Sequence, residues 1–372
     1  METLELPQAG RETSGAELDE LLETVPEGAA VFSIFADQGE PYLARTSQLR
    51  RRLKRLLGPN ARVFSLRTVA RRLEWELTGS RLDGNLSLYE AARRHFPANY
   101  ARYIRLRPPS YLKLLLSNQF PRSQVTSRLT GGEGRFFGPF RTRAAAEAFE
   151  AQFLDLFQLR RCPEDLAPAV LHPGCIYGEM NLCLRPCQMA VTPSEYLSEV
   201  RRAGDFLATN GGTLLDTIAA ARDRASEELE FEEAQRQHRR FEKVTEVLKL
   251  RDELAHDLSQ LRGLAVLPAP EPGFVRLRPF FDGWWQAPIN FSLAGAGQSM
   301  DARLRDVLDQ VSATRTSVQE RNDHTALLAQ WFYSTWRDGE WLPYPLSYRK
   351  LVRAINSVWQ SQATLGFPPA SV

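Results

Sequence analysis

The sequence contains few cysteines, no long hydrophobic run and no secretion signal. All four cysteines fall within residues 162–187, so the rest of the chain has no thiol. No stretch of about 18 consecutive apolar residues is present, which argues against a transmembrane helix. The opening residues, METLELPQAGRETSGAELDE, are acidic and lack an apolar core, unlike a signal peptide. We therefore expect a cytoplasmic protein with reduced thiols and no membrane partner.

The cysteines form one group, with the spacing Cys162-x12-Cys175-x7-Cys183-x3-Cys187. Two disulfides are the weaker interpretation in a reducing compartment. Four thiolates close together supply a complete ligand set for a metal ion or an iron–sulfur cluster. Four unrelated buried thiols are a third interpretation, because a free cysteine packs like a small hydrophobic residue.

The net charge of +2 conceals an uneven distribution. Residues 43–107 carry 16 arginines and lysines against four acidic residues, whereas residues 226–257 are rich in glutamate. The basic segment suggests a polyanionic partner and the mixed-charge segment a protein partner. Arginines on solvated helix faces would produce the same excess without any partner.

Apolar runs and helical periodicity predict a small α/β module near the start of the chain. Residues 30–35, AVFSIF, and a strand beginning at Tyr42 form a predicted β-hairpin around DQGEP. The segment TSQLRRRLKRLLG predicts a helix that ends at Gly58. Residues 73–78 are a predicted strand, and LSLYEAARRHF is a predicted helix that ends before Pro97. The order β-β-α-β-α is typical of a small nuclease-sized module.

The remaining sequence alternates between strand and helix patterns. YLKLLLS and SQVTSRL predict a strand pair, RFFGPF predicts a Gly-Pro turn, and residues 142–159 predict a helix. Residues 213–261 predict helices broken near LEFEE. The later part of this region carries a narrow apolar stripe typical of a helical hairpin, formed by Ala234, Phe241, Val244, Leu248, Leu254, Leu258 and Leu261. Asp282 and Gly283 predict a tight turn between two later strands.

Seven motifs follow one another along the chain: YLARTSQLRRRL, RRHFPANY, NQFPRSQVTSRL, FFGPF, FQLRRC, CLRPC and LEFEEAQRQ. Their order resembles that of the UvrC family, the incision subunit of the bacterial excinuclease that performs nucleotide excision repair. Together they resemble the N-terminal half of that family over residues 25–262. The resemblance implies a GIY-YIG nuclease module, a cysteine-containing segment and a UVR helical hairpin.

The resemblance also implies which residues would cut DNA. In GIY-YIG nucleases a tyrosine helps to activate water and an arginine stabilises the charge that develops on the phosphate. A glutamate holds Mg²⁺, which polarises the phosphate. By position, Tyr42, Arg45 and Arg52 match the tyrosine, the basic residue that follows it and the catalytic arginine. Mg²⁺ or Mn²⁺ would be a cofactor only if the nuclease is active.

Several positions depart from the family pattern. Leu88 stands where the metal-binding glutamate belongs, Ala44 replaces the motif glycine, and the first motif tyrosine aligns near Phe32 and Ser33, where there is no tyrosine. Loss of the metal ligand would cost roughly three decades of rate. The module is therefore either a degenerate nuclease with a retained DNA-binding surface, or an active one in which Glu90 or Asp83 holds the metal. Whether the protein is an enzyme stays open at this point.

The basic segment, interpreted through the resemblance, implies contact with damaged double-stranded DNA. The expected contacts are Arg50, Arg51, Arg55, Arg93 and Arg94. An RNA-directed role is also compatible, because phosphate contacts carry no sequence information.

The resemblance implies that Cys162, Cys175, Cys183 and Cys187 hold a [4Fe–4S] cluster, with zinc as the alternative. The spacing lacks the paired CxxC knuckles usual in zinc ribbons, which favours iron–sulfur. The cluster would have a structural role.

SEELEFEEAQRQHRRFEKVTEVLKLRDEL resembles the UVR motif, through which the incision subunit pairs with UvrB. Phe231 and Ala234 would be the apolar contacts with such a partner. The alternative is a coiled coil packed on the protein's own core. His238 is expected to be a surface residue.

We therefore expect an α/β (α+β) multidomain protein. The predicted units are a disordered lead-in (1–22), a GIY-YIG-like module (23–105), a cysteine-cluster segment (106–205), a UVR-like hairpin (206–262) and a small α+β domain (263–372). The last unit lacks the family's second nuclease motifs, so no 5′ incision is expected. Its acidic residues Asp301, Asp306 and Asp309 have the spacing of a solvated helix face.

Two functional hypotheses follow. The first is a relative of the incision subunit that binds DNA and a UvrB-like partner, with 3′ incision weak or lost. The second is a non-catalytic DNA-binding adaptor on the same scaffold.

Overall fold

The computed structural model describes residues 1–6, 14–58, 66–131, 134–292 and 317–364, which form a mixed α/β protein on three antiparallel sheets. The strands are β1 Glu2–Glu5, β2 Ala30–Ala36, β3 Tyr42–Thr46, β4 Ala70–Leu77, β5 Ser110–Leu115, β6 Arg122–Thr126, β7 Arg135–Phe140, β8 His256–Asp257, β9 Gly263–Pro268, β10 Phe274–Phe281, β11 Trp284–Trp285, β12 Ile289–Ser292 and β13 Glu340–Pro343. The helices are α1 Ser14–Thr24, α2 Leu49–Leu57, α3 Leu66–Val69, α4 Arg81–His95, α5 Arg143–Leu154, α6 Ile176–Glu179, α7 Pro193–Ala208, α8 Gly212–Glu227, α9 Phe231–Lys249, α10 Val318–Phe332 and α11 Tyr348–Thr364. No described helix is long and apolar enough to cross a membrane.

The N-terminal sheet has the strand order β1-β4-β2-β3 and is covered on both faces. Strand side chains alternate between the two faces. Phe32 and Ile34 accordingly pack with α1 and α2, whereas Val31 and Leu43 pack with the end of α4. The predicted hairpin is confirmed, because β2 and β3 pair from Ala30↔Thr46 to Ile34↔Tyr42.

The predicted disordered lead-in differs from the structure. Strand β1 extends the sheet by pairing with β4. Helix α1 buries Leu18 and Leu22, which are four residues apart and therefore share one helix face. The polar composition of this stretch concealed that short apolar stripe.

Helix α2 follows the predicted pattern. Leu49, Leu53 and Leu57 are fully buried. Of the basic residues between them, Arg51, Lys54 and Arg55 are exposed, whereas Arg50 and Arg52 are half-buried. The helix ends at Gly58, as predicted, and the Gly58 N–H donates to the carbonyl of Lys54.

The second sheet, in the order β6-β5-β7-β8, carries a core rich in phenylalanine. Helix α5 packs Phe149 and Phe153 on it, and α7 adds Tyr196 and Phe206 to the same cluster. RFFGPF is a strand, β7, and the predicted Gly-Pro turn is wrong. Gly138 has a φ of +150°, and a Cβ there would lie 2.8 Å from the Tyr111 ring.

Helices α8 and α9 form the predicted hairpin, but its second helix already ends at Lys249. Leu254, Leu258 and Leu261 do not continue that helix. They are buried in a core shared with the third sheet. Their spacing reflects burial of a loop and a short strand. The predicted helical stripe is therefore wrong for these three leucines.

The third sheet has the order β11-β10-β9-β13 with β12 paired to β10, and helix α4 of the N-terminal module packs against it. Asp282 and Gly283 have φ values of +55° and +96°, which confirms the predicted tight turn. Strand β9 of this sheet lies very close to the N-terminal module. A Cβ on Gly79 would lie 2.2 Å from the carbonyl oxygen of Pro268. Helix α11 covers one face of this sheet. Asp301, Asp306 and Asp309 lie outside the described residues.

Candidate nucleic-acid interface and cysteine site

One side of α4 lines a basic cleft. Arg81, Asn85 and Leu88 are four and three residues apart, so they project from the same side of the helix. Leu82 and Leu86 project from another side and are fully buried. The cleft has a volume of about 410 Å³. Its walls are formed by Arg45, Arg81, Asn85, Leu88, Tyr103, Ile104, Arg105, Gln330 and Trp336.

The three predicted catalytic residues do not converge. Arg45 lies on the α4 side of the N-terminal sheet, where its Nη1 donates to Asn85 Oδ1. Tyr42 is three residues away on β3 and therefore faces the opposite side of the sheet, against Phe32. Arg52 Nη2 donates to the Tyr42 hydroxyl at 3.0 Å. The structure thus pairs Tyr42 with Arg52 and separates Arg45 from both.

Leu88 lines the cleft, and none of the described residues in the cleft wall is an aspartate or glutamate. Asp83 is fully buried and accepts hydrogen bonds from Arg276 Nη1 and, at 3.1 Å, from Arg278 Nε. Glu90 Oε1 lies 3.7 Å from Arg278 Nη1. Both candidate replacement carboxylates therefore face strand β10, away from Leu88. This placement disagrees with the hypothesis that Asp83 or Glu90 holds a metal in the cleft.

Arg93, one of the predicted DNA contacts, takes part in a network inside the protein. It donates to the Tyr89 hydroxyl at 3.2 Å and lies 3.9 Å from Asp323 Oδ2. The hydroxyls of Tyr89 and Tyr100 donate to Asp323 at 3.1 and 2.7 Å. Burial raises the pKa of Asp323, although these hydrogen bonds oppose the shift. Arg94, by contrast, is exposed at the end of α4.

Helix α2 presents the exposed part of the basic segment. Arg51 and Arg55 are exposed on its outer face. Arg50 is partly engaged: its Nε donates to the Val25 carbonyl at 2.7 Å and its Nη1 pairs with Glu27 at 2.8 Å. Arg51 and Arg55 are therefore the best placed of the predicted DNA contacts.

The cysteine segment is held to the β5–β6 turn by Arg160 and Tyr196. The buried Arg160 guanidinium donates to the carbonyls of Phe120 at 2.8 Å and Glu164 at 2.7 Å. Its Nη1 also lies 3.6 Å from Cys162 Sγ. The Tyr196 hydroxyl accepts from the Arg160 N–H at 2.9 Å. The first cysteine therefore has a fixed position at the edge of the second sheet.

Cys183 lies close enough to the other three cysteines for their charges to raise its pKa. Cys183 and Cys187 are buried, Cys162 is half-buried and Cys175 is exposed. Burial raises the pKa of Cys183 to about 11, and the other three thiolates add to the increase. Burial also raises the pKa of Cys187, with further increases from Cys162 and Cys175.

The donor set suits a metal or an iron–sulfur cluster chemically. All four thiols are free, and the Arg185 N–H donates to Cys183 Sγ at 3.4 Å. A cation among them would stabilise the thiolates that burial and mutual repulsion disfavour. Within the described ranges, no group of three or more histidine, cysteine, aspartate or glutamate side chains has an arrangement that could hold a metal ion. The cluster thus stays a prediction.

The tip of the α8–α9 hairpin exposes apolar side chains. Leu229 is 70% exposed and Phe231 is 68% exposed, while Ala234 is half-buried. The other end of α9 packs Val244 into the core of the second sheet. One end of the hairpin thus packs on the rest of the protein, whereas its tip is exposed to solvent. His238 is a surface residue, as predicted.

Comparison with known proteins matches this middle region to one family. Residues 110–206, which contain β5 to β7, α5 and all four cysteines, match the model of the UvrC/Cho excinuclease middle domain. The chain is UvrC-like. It is 26% identical to UvrABC system protein C of Dehalococcoides mccartyi over 238 residues, which are 62% of this chain and 39% of that protein. The Rickettsia africae protein is 25% identical over 227 residues, 60% of this chain and 35% of its own length.

This UvrC-like chain therefore matches well under half the length of these relatives. No solved structure matches the chain. The match to the middle domain and to these relatives confirms the predicted resemblance to the UvrC family.

Sequence reasoning missed part of the cleft of this UvrC-like protein. Arg81 and Arg105 were counted in the basic segment without a role, and Gln330 and Trp336 come from a distant part of the chain. The four-residue step from Arg81 to Asn85 could have placed those two on one helix face. No sequence signal pointed to Trp336.

Proposed function

We propose that this protein acts in nucleotide excision repair by binding damaged duplex DNA without cutting it. The observation that carries the proposal is the placement of Leu88 in an arginine-lined cleft whose described wall contains no carboxylate. Phosphodiester cleavage of the GIY-YIG type requires a carboxylate-held metal at that position. Asp83 and Glu90 are turned towards arginines of β10, so neither supplies it.

In this proposal α2 is the principal DNA-binding element. Its exposed face carries Arg51 and Arg55, and Arg50 would add to the same basic surface. Arg94, at the end of α4 on the other face of the sheet, would be a separate contact. Guanidinium groups bind phosphate strongly because their planar donors match its oxygens. The residue boundaries of the nuclease-like module, 23–105, and of the units that follow it are part of the same proposal.

Replacing Arg51 and Arg55 together with glutamine tests the DNA-binding element. Each phosphate contact that is lost should reduce the slope of log affinity against log salt by about 0.9, because fewer counterions are released. Fluorescence anisotropy with labelled duplex DNA over a range of salt concentrations measures that slope. Arg349→Gln combined with Lys350→Gln, an equal loss of exposed charge on α11, serves as the control. An unchanged slope in the α2 variant would remove that helix from the interface.

The four cysteines are proposed to hold a [4Fe–4S] cluster, with zinc as the alternative metal. The residues concerned are Cys162, Cys175, Cys183 and Cys187. Such a cluster would supply a cross-link between the second sheet and the start of α7, and no catalytic step depends on it.

The hairpin tip is proposed to bind a protein that resembles UvrB. Exposed Leu229 and Phe231 offer an apolar contact without any covering residue from the described core. Changing Phe231 to serine should weaken binding of that partner by at least about tenfold, because aromatic anchors dominate such interfaces. Calorimetric titration measures the loss. Leu197→Ser, on the exposed side of α7, is the matched control, and equal effects of the two changes would argue against the tip.

A further inference from the structure

The cleft beside α4 carries an excess of positive charge. Arg45, Arg81 and Arg105 line it, and Arg105 makes no ion pair within the described part of the chain. Arg45 reaches the surface, but its pKa is lowered. The main cause is loss of hydration, and the second is the positive charge of Arg81. Guanidiniums that destabilise each other's charge are relieved by a bound anion.

One carboxylate lies close to this group. Asp338 accepts a hydrogen bond from the Arg81 N–H at 2.5 Å and another from Trp331 Nε1 at 3.2 Å. Its charge opposes the lowering of the Arg45 pKa. Three guanidiniums and one carboxylate leave two positive charges, which match a phosphate monoester of about −1.5 to −2 charge better than a phosphodiester of single charge.

The cleft also has flat aromatic surfaces. Trp336 forms one wall, and the Arg81 guanidinium lies 5.5 Å from its ring centroid. Tyr103 forms part of another wall and is fixed by stacking on Phe96 at 4.0 Å between centroids. A nucleic-acid base stacks on such surfaces irrespective of its sequence. The volume of about 410 Å³ falls in the range of roughly 300–1,000 Å³ for small-ligand sites.

We infer that this cleft binds the phosphate monoester at the end of a nucleic-acid strand, with the terminal base against Trp336. Arg45, Arg81 and Arg105 would contact the phosphate. The inference rests on the proposed function as a DNA-binding protein, and it adds a site for strand ends that is separate from the outer face of α2. A protein that holds a terminal phosphate without cutting would retain the end of an incised strand.

Binding of a short single-stranded oligonucleotide, labelled at its far end, tests the inference. Strands with a 5′-phosphate, a 3′-phosphate or no terminal phosphate are compared by anisotropy. We expect one of the two phosphorylated strands to bind about tenfold more tightly than the unphosphorylated strand. The terminal phosphate would gain charge-assisted hydrogen bonds, which have a free energy of that size. Arg105→Gln should abolish that preference, whereas Arg349→Gln should leave it intact. Arg105 is exposed, so its replacement should leave the fold unchanged, and a melting curve checks this.

The failures of the two proposals are distinguishable. Equal affinity for phosphorylated and unphosphorylated strands, with duplex binding through α2 intact, would overturn the strand-end site alone. If the wild-type protein binds neither duplex DNA nor phosphorylated strand ends, the proposed function is overturned as well. A free nucleoside monophosphate that competes as well as the phosphorylated strand would also overturn the strand end as the ligand. Trp336→Leu should weaken binding of a phosphorylated strand but not of one that ends in an abasic phosphate.

Discussion

Replacing Asp83 with alanine should lower the free energy of unfolding by about 3–5 kcal/mol. Asp83 is fully buried between Arg276 and Arg278, which are 8% and 1% exposed. Among the described residues, removal of the carboxylate leaves the buried Arg276 guanidinium without a counter-charge, and Arg278 keeps only the half-exposed Glu90 at 3.7 Å. Because these residues join α4 to β10, the N-terminal module should also separate from the third sheet.

Chemical denaturation and limited proteolysis measure the two effects. Glu90→Gln is the matched control: it removes a carboxylate 3.7 Å from the same Arg278, but from a half-exposed position, so it should cost no more than about 1 kcal/mol. Combining Asp83→Leu with Arg276→Leu and Arg278→Met removes the buried charge altogether and should restore much of the stability. A loss for Asp83→Ala as small as that for Glu90→Gln would show that the contact does not join the two units.

Changing Cys183 to serine should abolish iron binding by anaerobically purified protein. Cys183 is buried, and the charges of the other three cysteines contribute to its raised pKa. A serine hydroxyl is a much poorer ligand for iron than a thiolate. Iron and acid-labile sulfide analysis, with the visible absorption spectrum, measures the loss. Met180→Leu, an exposed sulfur-containing residue of the same segment, is the control. Wild-type protein that contains zinc and no sulfide would exclude the iron–sulfur cluster and retain the four-cysteine site.

The sequence allowed prediction of those elements that depend on local patterns. The β2–β3 hairpin and helix α2 follow from apolar alternation and a leucine stripe, and the turn at Asp282 follows from the residues it requires. RFFGPF was less informative, because a Gly-Pro pair indicates a turn in most contexts and here lies within a strand.

The site depends on contacts that sequence spacing cannot reveal. Asp83 and Arg276 are 193 positions apart, and their pairing engages the carboxylate that the sequence offered as a replacement metal ligand. The separation of Tyr42 and Arg45 follows from alternation along β3 and could have been predicted once that strand was assigned. The contribution of Trp336 to the cleft required the full fold.

DNA binding without cutting is tested most directly by incision of an end-labelled duplex that carries one bulky lesion. The protein, purified without oxygen, is incubated with its UvrB-like partner in Mg²⁺ or Mn²⁺, and a parallel gel-shift experiment measures bound DNA. We expect bound DNA with no metal-dependent cut, because Leu88 stands where the family has its metal-binding glutamate and the described wall of the cleft has no carboxylate. A cut on the 3′ side of the lesion that disappears on Arg52→Ala or Tyr42→Phe would contradict this and identify an active nuclease.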